Sequence, residues 1–216
     1  MERKTNWIAT VFVGALILSL VIGVTIVKSQ RHFFARHGYR LTADVAVDGR
    51  HDIASQNYAY DCGSRANVAA ATSCELYGTA MHVDLGARGS LFITMNGWNA
   101  GNSGFSGANI LLHQLLFAAQ HGHAIPPESA PVMVRFRDPA NPATAQVVDP
   151  AHLDRIFGPG VTLTSLTIAP GSPIADPGDV DSALPWLARL KGSQLSSMAG
   201  DPALRLHDYD FKWPPQ

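Results

Sequence analysis

The residues with chemistry to offer fall into a few groups. Cys62 and Cys74 are the only two cysteines. They lie in one stretch rich in Gly, Ser, Asn and Ala, a reasonable loop for a disulfide; two unrelated free thiols are the alternative. His82 and Asp84 sit two apart on an alternating segment, so they share one strand face and could act as a general-base pair. Scattered His, Asp and Ser allow many such pairings, so this one carries little weight. His113, His121 and His123 form the densest histidine group. A zinc site normally has four ligands and a supporting shell. No H-E-x-x-H or paired C-x-x-C spacing is present. One helix-surface histidine and two near a helix C-terminus, where positive charge suits the dipole, explain the group better. No metal and no cofactor is expected.

The glycine- and asparagine-rich segment Asn96 to Gly107 invites a nucleophile or phosphate reading. Gly101-Asn-Ser-Gly104 and Gly104-Phe-Ser-Gly107 miss G-x-S-x-G because the second glycine comes one place early, and no Gly-Lys-Ser/Thr follows. A long surface loop is the favoured reading, although the helix expected after it could receive an anion at its N-terminus. Asp176, Asp179 and Asp181 resemble a calcium loop only loosely, since the EF-hand glycine and distal glutamate are missing. Loop solvation and helix capping account for them more simply.

The elements that would hold these groups read mostly as strands and turns. Tyr39, Leu41, Ala43, Val45 and Val47 share one face of a half-buried strand. Asp48-Gly49 is a tight-turn dipeptide, and about Arg50 to Tyr60 returns as the second strand. After the cysteine stretch, Leu76–Leu85 and Ser90–Met95 form a second hairpin around Gly86 to Gly89, which suggests a meandering sheet. A helix is expected over Ala108–Gln120, stopped by Gly122. Val132–Phe136 and Ala145–Val148 read as extended, separated by Asp138-Pro139 and Asn141-Pro142. Asp149 and Pro150 open a short helix reaching Phe157, and Gly158-Pro-Gly160 breaks it. Val161–Ile168 alternates strongly, Pro170–Gly178 is a loop, and a short helix follows around Ser182–Leu190. The tail reads as polar and irregular. The expected class is α+β: an antiparallel sheet of consecutive hairpins with two or three short helices, preceded by one transmembrane helix.

That helix is the segment Trp7 to Val27, which carries no charge. At about 1.5 Å per residue it spans roughly 30 Å, the thickness of a bilayer's hydrocarbon core. A cleavable signal peptide would be shorter and followed by an A-x-A-like site, which is not found. Residues 1–30 are therefore expected to be a cytoplasmic tip and anchor. Residues 31–216 are expected to be one soluble domain with a basic juxtamembrane linker. The expected partner is the lipid bilayer, through residues 7–27. Orientation signals conflict. Arg3 and Lys4 precede the helix while Lys28, Arg31, Arg36 and Arg40 follow it, which by the positive-inside rule puts the domain in the cytoplasm. A disulfide would instead require export, because such bonds persist outside the cytoplasm. An inner-membrane protein with an exported domain is the preferred expectation. The formal net charge of -1 argues against a nucleic-acid partner.

Several short segments, taken in order, carry a resemblance. They are Tyr39-Arg-Leu-Thr42, Val45–Gly49, Met81-His-Val-Asp-Leu-Gly86, Val132–Asp138, Val148-Asp-Pro150, Phe157–Val161, Leu184-Pro-Trp-Leu187 and Asp210-Phe-Lys212. Together they resemble a family of uncharacterised bacterial single-pass membrane proteins. The resemblance implies bacterial origin and no particular activity. The cysteine stretch is not part of that family's pattern, so a bridge would be peculiar to this chain. Two functions follow as expectations. The first is a membrane-anchored, non-catalytic domain that binds a partner or supports an envelope assembly. The second is a hydrolase-like enzyme using the 96–107 loop and a histidine such as His113.

Overall fold

The computed structural model describes residues 37–64, 72–97, 122–190, 195 and 206–213. The chain divides into two compact units, Met1–Ala35 and Arg36–Gln216. The first, with the expected anchor at 7–27, lies outside the described residues. So do the expected helix at 108–120, His113, His121, and most of the 96–107 loop. Among the described residues no helix is long and apolar enough to cross a membrane.

The first hairpin forms as its alternation dictates. β1 (His37–Val47) pairs antiparallel with β2 (Arg50–Ser64). Asp48 and Gly49 both take positive φ, 52° and 86°, as a two-residue turn matched to strand twist requires. Tyr39, Leu41, Ala43, Val45 and Val47 are all buried on one face. β9 (Val161–Pro170) pairs with the other edge of β1. Its apolar residues change phase between Leu163 and Leu166, and a bulge there supplies the extra residue. Val161 and Leu163 before it, and Leu166 and Ile168 after it, therefore all meet the core.

The second hairpin required correction. Leu76 to Leu85 is not one strand. β3 (Thr72–Thr79) pairs with β2, whereas β4 (Met81–Asp84) pairs with β5 (Ser90–Gly97) in a different sheet. The chain changes sheets at Ala80, whose N–H donates to the Phe211 carbonyl at 2.7 Å. Among the described residues the result is two antiparallel sheets instead of one meander. One has six strands in the order β10-β3-β2-β1-β9-β6, with β6 at His123–Ala124 and β10 at Lys212–Trp213. The other has four in the order β4-β5-β7-β8, with β7 at Pro131–Phe136 and β8 at Ala145–Val148. β7, β8 and β9 fall where the sequence pattern puts them.

The four-stranded sheet is buried on both faces. Leu91, Ile93 and Met133 meet the six-stranded sheet's inner face, where Tyr39 and Tyr58 stack with centroids 5.0 Å apart. Burial pushes both phenols above their ordinary value; Tyr58 adds to the rise at Tyr39, and the Met81 backbone opposes it at Tyr58. Their contribution to stability is present below about pH 10 and is lost as pH rises beyond it. On the other face Phe92, Val134 and Phe136 pack against Val180, Leu184, Trp186, Leu187, Leu190, Leu195, Leu206 and Phe211. This third layer is built from short pieces. The helix expected at 182–190 is a single turn, α2 (Val180–Ala183), and a 3-10 turn at Leu187–Arg189. Pro185 interrupts them, because its ring cannot continue a helix. The helix expected after Asp149 and Pro150 is likewise one turn, α1 (Asp154–Phe157), preceded by a turn that Asp149 closes by accepting from the Ala151 N–H at 2.9 Å. The tail, expected to be irregular, instead buries Phe211 completely and adds β10 to the edge of β3.

Candidate functional site

The best-formed polar cluster lies at the edge of the four-stranded sheet. Met81 and Val83 face the inter-sheet core, so the alternation of β4 places His82 on the opposite face. In the β4–β5 ladder His82 pairs with Phe92 and Asp84 with Ser90, which makes Ser90 a diagonal neighbour of His82. The imidazole stacks on Phe92 with centroids 4.9 Å apart and planes 8° apart. Its Nε2 lies 2.9 Å from Ser90 Oγ and its Nδ1 lies 2.8 Å from Asp179 Oδ2. A carboxylate at Nδ1 favours the proton there, leaving Nε2 to accept from the Ser90 hydroxyl. The His82 side chain is 12% exposed and that of Asp179 66%.

Asp179 arrives on a strap, residues 171–179, that is itself pinned. Asp176 Oδ2 accepts from the Asn57 backbone and side-chain amides at 2.8 and 2.9 Å, and the Asp176 N–H donates to the Asn57 carbonyl. Gln56 Nε2 donates to Thr79 Oγ1 and to the Asp176 carbonyl. Gly178 takes φ +61°, and a side chain there would run into Thr79 Oγ1. Just beyond the strap, Asp181 pairs with Lys212 of β10. The three aspartates therefore do not converge as a cation site. Asp176 holds β2, Asp179 holds β4 and Asp181 holds β10. Asp179 stands at the N-terminus of α2, but its side chain makes no cap hydrogen bond there.

The expected His82–Asp84 pair is likewise corrected. Asp84 Oδ1 accepts from the Gly86 N–H at 2.9 Å, closing the hairpin turn, and Asp179 supplies the carboxylate to His82. The expected hairpin, with strands ending at Leu85 and starting at Ser90, sets Ser90 opposite Leu85 and away from His82; the observed ladder is one step out from that and pairs Ser90 with Asp84, which brings it beside His82. Asp179, separated from His82 by 97 residues, gave no sequence signal. Among the described residues no group of His, Cys, Asp or Glu could hold a metal ion, and His123 lies on β6 paired with Ile168. Cys62 and Cys74 are not in a loop: both lie on strands, as Cα partners in the β2–β3 ladder.

A second polar cluster ties down the opposite hairpin turns. Arg88 Nη2 reaches both Asp48 carboxylate oxygens, at 3.0 and 3.1 Å, and Nη1 reaches the Phe157 carbonyl. Arg135 lies over the Phe157 ring at 5.2 Å and donates to the Ile156 carbonyl. Arg88 fastens the end of α1 to the turns of both hairpins, and Arg135 fastens it to β7. Chemically, the Ser90–His82–Asp179 chain has the connectivity of a proton relay. Comparison with family models, curated proteins and solved structures finds no match for this chain.

Proposed function

We propose that this chain is a membrane-anchored, non-catalytic domain that binds a partner or supports an envelope assembly, with the domain exported across the inner membrane. The charge-free run from Trp7 to Val27 and the resemblance to bacterial single-pass proteins support the tether. One structural observation supports binding. The strap crosses the outer face of β1, β2 and β9 at its Gly38 and Asn57 end; beyond that, no element covers the face among the described residues. Thr42, Ser55 and Thr162 lie on it around Ile53, which is 68% exposed and pairs across the ladder with Asp44. A broad, mostly polar sheet face with an apolar centre suits a protein surface better than a small molecule, which a concave pocket would hold.

Full-length protein should stay with membranes through high salt and alkaline carbonate and leave them in detergent. A photo-crosslinking side chain at position 53 should give one discrete adduct in intact cells, whereas the same group at Val147, on the other sheet, should not. Release by carbonate alone removes the tether, and equal labelling from both positions removes the binding face.

The Ser90–His82–Asp179 chain favours a second reading, a hydrolase, and moves it from the 96–107 loop to β4 and β5. In that reading Ser90 Oγ attacks an acyl carbonyl and passes its proton to His82 Nε2, while Asp179 steadies the imidazolium. The non-catalytic reading gives the same residues a structural task, docking the strap on the sheet. It predicts that a fluorophosphonate probe leaves Ser90 unlabelled. It also predicts that His82→Ala costs about 1–2 kcal/mol in denaturant unfolding, through one lost hydrogen-bond chain and one lost ring stack. Ser90 labelling that vanishes in a folded His82→Ala variant decides for the hydrolase.

A further inference from the structure

The register of the six-stranded sheet brings the two cysteines together more closely than a shared loop would. β2 and β3 pair Tyr60 with Leu76, Asp61 with Glu75, Cys62 with Cys74, Gly63 with Ser73 and Ser64 with Thr72. Residues directly opposite in an antiparallel ladder occupy the same face, with Cα atoms about 4.5 or 5.5 Å apart. A disulfide needs a Cα separation of about 4.4–6.8 Å. Both spacings of the ladder meet that requirement without backbone movement, and no other register would pair these two positions.

We propose that Cys62 and Cys74 are joined by a cross-strand disulfide, made as the chain reaches the oxidising side of the membrane. The bond forms by exchange with the disulfide of a thiol–disulfide oxidoreductase. One cysteine thiolate attacks that disulfide and releases one of its sulfurs as a thiol. The second cysteine then displaces the other. The protein loses two electrons and two protons, and the oxidoreductase leaves as a dithiol. The bridge fastens β2 to β3 beyond Tyr60. It also fixes the topology, because a reducing cytoplasm would not preserve it. It does not depend on partner binding and stands or falls separately.

Arg65, between the two cysteines, makes the test direct. Full-length protein is trapped with an alkylating agent in acid-quenched bacteria and digested with trypsin, which cuts after Arg65. The expected product is one species joining the peptide that ends at Arg65 to the peptide that follows it. It should be lighter than their sum by two hydrogens and should separate on reduction. Cys62→Ser and Cys74→Ser should each abolish it. Each should also lower the Tm of the purified protein by roughly 5–10 °C, and reductant should lower the wild-type Tm to match. Alkylation of both thiols in the unreduced wild type, or a link between two chains instead of within one, overturns the proposal.

Discussion

Phe211→Ala should cost the domain about 3–5 kcal/mol, the range for truncating a fully buried aromatic side chain, and lower its Tm by roughly 10 °C or more. Phe211 is completely buried. Its ring lies 6.0 Å from that of Phe136 and 6.1 Å from that of Trp186, and Phe136 packs edge-on to Phe92 at 5.6 Å. Removing it empties the middle of the layer that covers the four-stranded sheet. The backbone of the same residue caps the Ala80 N–H at the point where the chain changes sheets, and β10 begins immediately after it. A loosened Phe211 therefore also weakens the hold of β10 on β3. Phe211→Leu retains much of the volume but none of the ring contacts and should lose clearly less than Phe211→Ala. Denaturant melts of both variants check this. A loss below about 1 kcal/mol for Phe211→Ala would mean the tail does not belong to the core.

That tail shows what the sequence can and cannot disclose. β1, its Asp48-Gly49 turn, β7, β8 and β9 were legible because their determinants are local: a period of two, a turn dipeptide, a proline at an edge. The division into two sheets was not legible. Leu76 to Leu85 reads as one alternating segment. The break at Ala80 depends on a carbonyl near the far end of the chain, in a stretch whose polar composition hides one buried phenylalanine. The helix expected around 182–190 is shorter and starts earlier, a single turn over Val180–Ala183, because Pro185 cannot continue it. The site followed the same rule. His82 was singled out from its strand and Ser90 was one register step away. Asp179 came from a loop whose three aspartates looked like a solvated run and instead make three separate ties.

Gly38→Ala should be more damaging than Gly49→Ala, for a different reason. At Gly49 the obstacle is conformational. Its φ is +86°, nothing lies within 4 Å of where a Cβ would stand, and the cost should be about 1 kcal/mol. At Gly38 the obstacle is the backbone itself. A Cβ there would overlap the Ser172 carbonyl and lie 2.7 Å from Pro173 N. Gly171, directly facing, is equally tight, with Tyr39 C at 2.6 Å, and its N–H donates to the Gly38 carbonyl at 3.1 Å. Neither main chain can retreat cheaply, since β1 is held by β2 and β9 on its two sides. The strap is held by Asp176 on Asn57. Overpacking of this kind costs about 1–3 kcal/mol and occasionally more, and the absence of any flexible side chain to give way argues for the upper end, about 3 kcal/mol. The relief, where it comes, should come from the strap, because its residues from 171 to 179 form no ladder. The variant should accordingly show faster amide exchange at Asp176 and Asp179 and a weakened Asp179–His82 contact, while β1 to β9 pairing persists. If Gly38→Ala unfolds no more easily than Gly49→Ala, or leaves exchange in the strap unchanged, the close crossing of these two glycines is wrong.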